Sequence, residues 1–304
     1  MSTVEATTLA LERRGGAVIA RLAYYLELTK PRIVVLELIV AATAACLAMP
    51  RAVDLVLVLH ALLGTALVAA SASIANQWWE RDNDARMPRT AARPLPTGRV
   101  SSAEALILAG LGLLVGSAWL WWQVNLVTAT LGLTSWILYV LIYTPLKTRT
   151  PLNTAVGALA GAIPVLMGWT ATAAPLEITT WALAGVLFLW QFPHFMAIAW
   201  LYRKDYAAAG HQMLTVVDPS GLRSGAQAVL ASLVLIPVSL VPALSPTSGS
   251  PRVYCLWAVG LGIVQLVVAI RFAVARDDAS ARSLLRTTLL YLPAWMALLL
   301  MVTM

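Results

Sequence analysis

Apolar and polar positions alternate along this chain in long blocks. Nine apolar segments emerge, over roughly residues 33–49, 55–77, 104–121, 124–145, 153–173, 178–201, 225–244, 254–273 and 284–303. A helix rises 1.5 Å per residue, so about 20 residues cross a ~30 Å hydrocarbon core. The short alternating strands of a spanning β-barrel are absent. The pattern predicts an all-α, polytopic membrane protein with nine transmembrane helices. Connections 3–4 and 5–6 are very short, and no loop has room for a soluble domain. Residues 1–23 read as an N-terminal tail without a cleavable signal, and 24–304 as a single intramembrane domain.

Composition agrees. The chain of 304 residues is 60% hydrophobic and only 12% charged, against about 25% charged in soluble domains. Charge then orients the spans. If Lys and Arg are assigned to alternate sides of nine spans, 19 of the 21 fall on one side, leaving Arg51 and Arg252 on the other. By the positive-inside rule the N-terminus and the basic loops are cytoplasmic and the C-terminus is outside. A missed span would scramble that asymmetry. The basic pI of about 9.8 is explained by this bias and by anionic lipid, so nucleic acid is not an expected partner. Cys46 and Cys255 lie in apolar runs with no metal-binding spacing, and read as small buried hydrophobes. Gly112/Gly116 and Gly157/Gly161 form GxxxG pairs suited to close helix packing.

Polar residues break the pattern in three places, all at span ends on the basic side. The first is NQWWERDNDARMPRT, residues 76–90. Should helix 2 continue through it, Asn76, Glu80 and Asp84 share one face. An amide oxygen and two carboxylates at that spacing suit Mg²⁺, which binds through one or two carboxylates plus substrate phosphates. Arg81, Arg86, Arg89 and Arg93 are available to phosphate. A charged helix end at the membrane surface is the plainer alternative. The second is YTPLKTRTPLN, residues 143–153, where Tyr143 and Lys147 are four apart; interfacial anchoring is the alternative. The third is WQFPHFMAIAWLYRKDYAAAGHQML, residues 190–214, with His194 inside span 6 and Arg203 and Asp205 at its end. A polar group at membrane depth is a functional candidate. His60 reads as structural or lipid-boundary, and Glu37 stays open. Together the clusters describe a site for an amphiphile with a polyphosphate head and a hydrocarbon tail. Its expected chemistry is metal-assisted departure of diphosphate.

The acidic element resembles the first motif of the UbiA superfamily of intramembrane prenyltransferases. LTKPRI at 28–33, the block at 76–101, the block at 143–169 and WQFPHF with YRKDY at 190–206 resemble, in order, those of its heme O synthase (protoheme IX farnesyltransferase) branch. The resemblance runs from about residue 24 to the end. It implies nine helices around a central cavity, Mg²⁺ as cofactor, and farnesyl diphosphate and heme B as substrates in the plasma membrane. It implies Asn76, Glu80, Asp84, Tyr143, Lys147 and His194 as catalytic residues, with Asp205 joining Asn76, Glu80 and Asp84 at the metal. Lys30, Arg32, Arg89, Arg93, Lys147, Asn153, Arg203 and Asp205 form the implied substrate-binding set. His194 is a candidate to contact porphyrin, iron or water. The lipid bilayer is a partner, and heme A synthase or terminal-oxidase assembly proteins are candidate partners.

The sequence departs from the superfamily pattern twice. Glu80 stands where many members have Asp. The second loop lacks a full DxxxD, with Leu201 and Ala209 four residues either side of Asp205, which leaves a second Mg²⁺ open. The rival readings are a superfamily enzyme acting on a quinone precursor, a membrane transporter, and an assembly factor that only binds heme.

Overall fold

The computed structural model describes residues 18–49, 53–244 and 251–303. Most of the expected N-terminal tail, with Arg13 and Arg14, lies outside the described residues, as does Arg51. Among the described residues nine helices are long and apolar enough to cross a membrane: α1 (Pro31–Ala48), α2 (Leu55–Asp84), α3 (Ser102–Gln123), α4 (Leu126–Leu146), α5 (Asn153–Ala171), α6 (Ile178–Leu201), α7 (Leu222–Leu244), α8 (Pro251–Ala275) and α9 (Asp278–Val302). No strand occurs among these residues.

Local chemistry sets several boundaries. Pro31 opens α1 at the first helical position, after Lys30 in a left-handed conformation with φ 50°, where the missing proline N–H costs nothing. The Asp54 side chain accepts from the Leu57 N–H and starts α2. Ser101 and Glu104 form a capping box on α3, which satisfies two otherwise orphaned N–H groups. Asn125 accepts from the Thr128 N–H at the start of α4, and its amide donates to the Thr170 carbonyl of α5.

Helix α2 has 30 residues, about 45 Å of helix, which outruns the ~30 Å hydrocarbon core. The charged stretch that follows the apolar run is therefore the same helix continued. Helix α4 changes character instead. Residues Ile137–Tyr143 are π-helical, and the Thr144 N–H reaches back to the Tyr139 carbonyl. The widened turn lies just before Pro145, whose ring would crowd a regular α-helical turn and which has no N–H to donate.

Small residues let helices approach. A Cβ on Gly116 would stand 2.9 Å from the Leu67 Cβ, and one on Gly112 3.1 Å from the Ser71 Cβ. Ser71 donates to the Ala109 carbonyl across the α2–α3 contact and accepts from the Trp136 indole. In lipid this is how helices hold together, through close packing and interhelical hydrogen bonds. Helices α5 and α6 are the most buried, at 72% and 67% of their spanning windows. Their core joins Val40 of α1, Tyr254 of α8, and Tyr291 and Trp295 of α9. His60 packs against Trp119 of α3 at 5.4 Å between rings. Both cysteines are free and partly buried.

This antiparallel order gathers the start of α1, the ends of α2, α4 and α6 and the start of α9 at one end of the bundle. All three polar clusters lie there.

Candidate prenyl diphosphate site

The extension of α2 places Asn76, Glu80 and Asp84 in one stripe, at 0%, 7% and 1% exposure. Burial this deep demands partners, and each stripe residue has a cationic side chain on its oxygen. Lys30 donates to Asn76 Oδ1 at 2.7 Å. Lys147 lies 2.8 Å from Glu80 Oε1 and 2.9 Å from Oε2. Arg93 pairs with Asp84 Oδ2 at 2.7 Å. Only the contact to Oε2 has hydrogen-bond direction, so Glu80 Oε1 is buried without a directed donor.

The Asn76 amide has one possible orientation. Its Nδ2 donates to Thr144 Oγ1 at 2.9 Å, and that hydroxyl spends its single proton on the Tyr139 carbonyl at 2.8 Å. The hydroxyl can only accept from Asn76, so the amide oxygen must face the stripe. The π-helical turn brings Thr144 and the Tyr139 carbonyl together for this purpose.

Lys147 is held from below. Its ammonium stands 4.6 Å from the centre of the Tyr143 ring, which stacks on Tyr139 at 5.3 Å. Gly157 makes room for that ring, since a Cβ there would stand 2.8 Å from Tyr143 Cε2. This second GxxxG glycine pair serves the site as well as packing. Burial opposes the Lys147 charge, and Glu80 more than reverses it, so the ammonium is held well above its ordinary range. Lys30 has no such counter-charge. Burial, then the nearby Lys147, pull it down to about 7 despite Glu80. Glu37 of α1 lies within electrostatic reach of Lys30.

A second group adjoins the stripe. Arg89 lies over the rings of Tyr202 and Tyr206, at 4.8 and 5.0 Å, and 3.8 Å from Asp205. Asn83 donates to the Ala209 carbonyl and approaches His211 Nε2 at 3.5 Å. His211 is buried with Nδ1 unpartnered, and burial pulls its imidazole pKa down, with Glu80 opposing. The loops are joined through the backbone: the Gln212 N–H donates to the Lys147 carbonyl at 2.6 Å. Asn153 donates to the Thr150 and Gln212 carbonyls, so its amide braces these loops.

Three residues expected at the site lie apart from the stripe. Arg203 pairs with Asp278 at 2.9 Å and lies over Trp200. Arg32 is exposed at the start of α1. His194 stacks on Trp190 at 5.0 Å, with Nδ1 3.0 Å from Thr288 Oγ1 of α9. Thr288 donates its proton to the Leu285 carbonyl, so His194 donates from Nδ1 and leaves the Nε2 lone pair free. Sequence reasoning missed Thr144, Thr288, Asn83 and His211. Thr144, Asn83 and His211 left a signal, as polar residues inside blocks already singled out, and Thr288 left none.

Among the described residues no group of three His, Cys, Asp or Glu side chains is poised to hold a metal unaided. The stripe nonetheless fits Mg²⁺: its donors are all hard oxygens, Glu80 Oε1 lacks a directed donor, and Mg²⁺ takes its remaining ligands from water and phosphate.

The chain is 44% identical over 278 residues to the protoheme IX farnesyltransferase of Solibacter usitatus, covering 88% of this chain and 94% of that protein. The fold matches a digeranylgeranylglyceryl phosphate synthase with TM-score 0.79 at 14% identity, over 93% of this chain and 99% of the other. It also matches a UbiA homologue from Archaeoglobus fulgidus bound to GPP and Mg²⁺, with TM-score 0.67 at 18% identity, over 91% and 99%. The profile of the UbiA prenyltransferase family matches residues 38–299, and the chain belongs to that family.

Proposed function

We propose that this protein transfers the farnesyl group of farnesyl diphosphate to a vinyl group of heme B, giving heme O. The observation that carries the reading is the 44% identity to a protoheme IX farnesyltransferase along nearly the whole of both chains. The charge partition supports an active site facing the cytoplasm, with the N-terminus inside, and the proposed location is the plasma membrane.

The donor's C1–O bond breaks and diphosphate leaves. The vinyl carbon bonds to C1, and water adds to the resulting cation with loss of a proton. Mg²⁺, when bound, supplies Lewis-acid stabilisation of the leaving oxygens. The chain's residues do the rest. Asn76, Glu80 and Asp84 supply the oxygen donors, with Asp205 as an outlying carboxylate. Lys147, Lys30, Arg93 and Arg89 supply charge-assisted hydrogen bonds to phosphate. The stacked Tyr139 and Tyr143 rings beneath Lys147 supply aromatic surface next to the diphosphate end, to stabilise cationic charge and exclude water. Arg203 and Asn153 act by bracing the loops, and Arg32 meets the substrate only as a surface charge at the mouth. His194 Nε2 is offered to the acceptor half, where porphyrin, iron and the attacking water remain its candidate partners.

Purified protein incubated with heme B, farnesyl diphosphate and Mg²⁺ should yield a heme heavier by one farnesyl and one hydroxyl group, read by mass spectrometry. Unmodified heme, with an aromatic quinone precursor prenylated instead, would contradict the acceptor assignment.

Thr144 gives a finer test. Thr144→Val removes the acceptor that orients Asn76. The Mg²⁺ concentration for half-maximal rate should rise about tenfold or more, as when outer partners of metal ligands are removed. Thr144→Ser should restore it. Identical Mg²⁺ dependence in all three proteins would show that the hydroxyl does not orient the amide.

A further inference from the structure

The three stripe residues are not vacant acceptors. Asn76 Oδ1 is held by Lys30, Glu80 by Lys147 and Asp84 by Arg93, all within 2.9 Å. Lys147 and Arg93 balance the two carboxylates, and the Lys30 amine occupies the amide oxygen of Asn76. Arg89 and Asp205 add one charge of each sign nearby. A bare divalent cation arriving here meets no net negative charge, and each residue that would bind it already has a basic side chain within 2.9 Å of an oxygen. A prenyl diphosphate changes the balance. Its phosphate oxygens give the displaced lysines and arginine somewhere to go, and its charge offsets theirs.

Resting on the prenyl diphosphate reading of this site, we infer that it admits metal and diphosphate only as one preformed complex, and that Lys30 is the chief barrier to metal alone. On binding, the chain's cations exchange partners, from stripe oxygens to phosphate oxygens, as the metal takes the stripe. Lys30 is the natural first mover. Its partner is a neutral amide rather than a carboxylate, so its release breaks one charge-assisted hydrogen bond and no ion pair. It also sits at a chain corner, in a left-handed conformation just ahead of α1, and its side chain reaches the stripe through that one hydrogen bond. The arrangement discriminates by charge. Free diphosphate without metal would draw Lys147 and Arg93 off and leave two carboxylates uncompensated, and free metal meets those basic groups already seated on the stripe.

The test uses Mn²⁺ as a probe, followed by electron paramagnetic resonance on the purified full chain in detergent. Wild-type protein should bind Mn²⁺ weakly by itself, and at least about a hundredfold more tightly with a non-hydrolysable farnesyl thiodiphosphate, the scale of one or two unit charges at short range in a partly buried site. Lys30→Met should move the two affinities in opposite directions, tightening Mn²⁺ alone and weakening Mn²⁺ with the analogue. Lys30→Arg should resemble wild type. Arg93→Met, which frees Asp84 from a different loop, should likewise tighten Mn²⁺ alone, and covers the case where the first variant does not fold. Stoichiometric tight binding of Mn²⁺ alone to wild type, or equal effects of Lys30→Met on both affinities, would overturn the inference. Failure of the farnesyl transfer reading would show separately, as heme left unmodified while these affinities behave as described.

Discussion

Glu80→Gln and Asp84→Asn are each expected to lower heme O formation by at least about a thousandfold, the scale of losing an electrostatic contact to a leaving group. Stability should respond unequally. Glu80 faces Lys147 with 9% and 15% side-chain exposure, whereas Asp84 faces Arg93, whose side chain is 27% exposed. Removing the Glu80 charge leaves a buried ammonium unpaired, which costs about 3–5 kcal/mol. The Arg93 guanidinium can turn to water. Folded yield in detergent should therefore fall for Glu80→Gln more than for Asp84→Asn. Adding Lys147→Met to Glu80→Gln should restore yield without restoring turnover, which separates the structural role of the pair from its chemical one. Full heme O production by either single variant, read by mass analysis, would remove the metal-binding role from the stripe.

Gly168→Ala is expected to be the most damaging single methyl group in the bundle. A Cβ at 168 would fall on the Ala41 carbonyl oxygen and stand 2.7 Å from the Ala41 carbonyl carbon. The obstacle is backbone, which cannot rotate away, so α1 must separate from α5. The cost should exceed about 3 kcal/mol, beyond ordinary overpacking. The melting temperature in detergent should drop sharply. Gly260→Ala, where nothing lies within 4 Å of the added carbon, should hold or raise it by helix propensity. Equal melting temperatures for the two variants would mean that the α1–α5 contact is looser than described.

Much of this was legible from sequence because membranes impose simple rules. Nine apolar runs and a lopsided distribution of Lys and Arg were enough for the all-α fold. The four-residue spacing of Asn76, Glu80 and Asp84 was enough for a stripe once α2 continued past its apolar run. What stayed hidden depends on contacts far apart in the chain. Nothing local says that Lys30 meets Asn76, 46 positions away. Thr144 looks like an ordinary interfacial hydroxyl until a π-helical turn aims it at Asn76. Arg203, expected on diphosphate, instead meets Asp278. Hydropathy could not show this, because α9 begins with a charged turn six residues before the apolar run read as starting at 284. The glycines were readable as close contacts, but not that Gly157 abuts the Tyr143 ring.

The order of residues in the stripe's network has a consequence for biogenesis. Lys30, Arg93 and Lys147, the partners of Asn76, Asp84 and Glu80, all precede residue 150. A chain leaving the ribosome N-terminus first can thus neutralise both buried carboxylates once four spans have been inserted. The nascent first half need not wait with two uncompensated charges at the membrane face while five more helices are made. The contacts to the later loop, among them Arg89 with Asp205, Asn83 with the Ala209 carbonyl and Gln212 with the Lys147 carbonyl, must await its synthesis. The stripe proposed to hold the donor is therefore assembled early in synthesis, and the helices carrying His194 and Thr288 are added later.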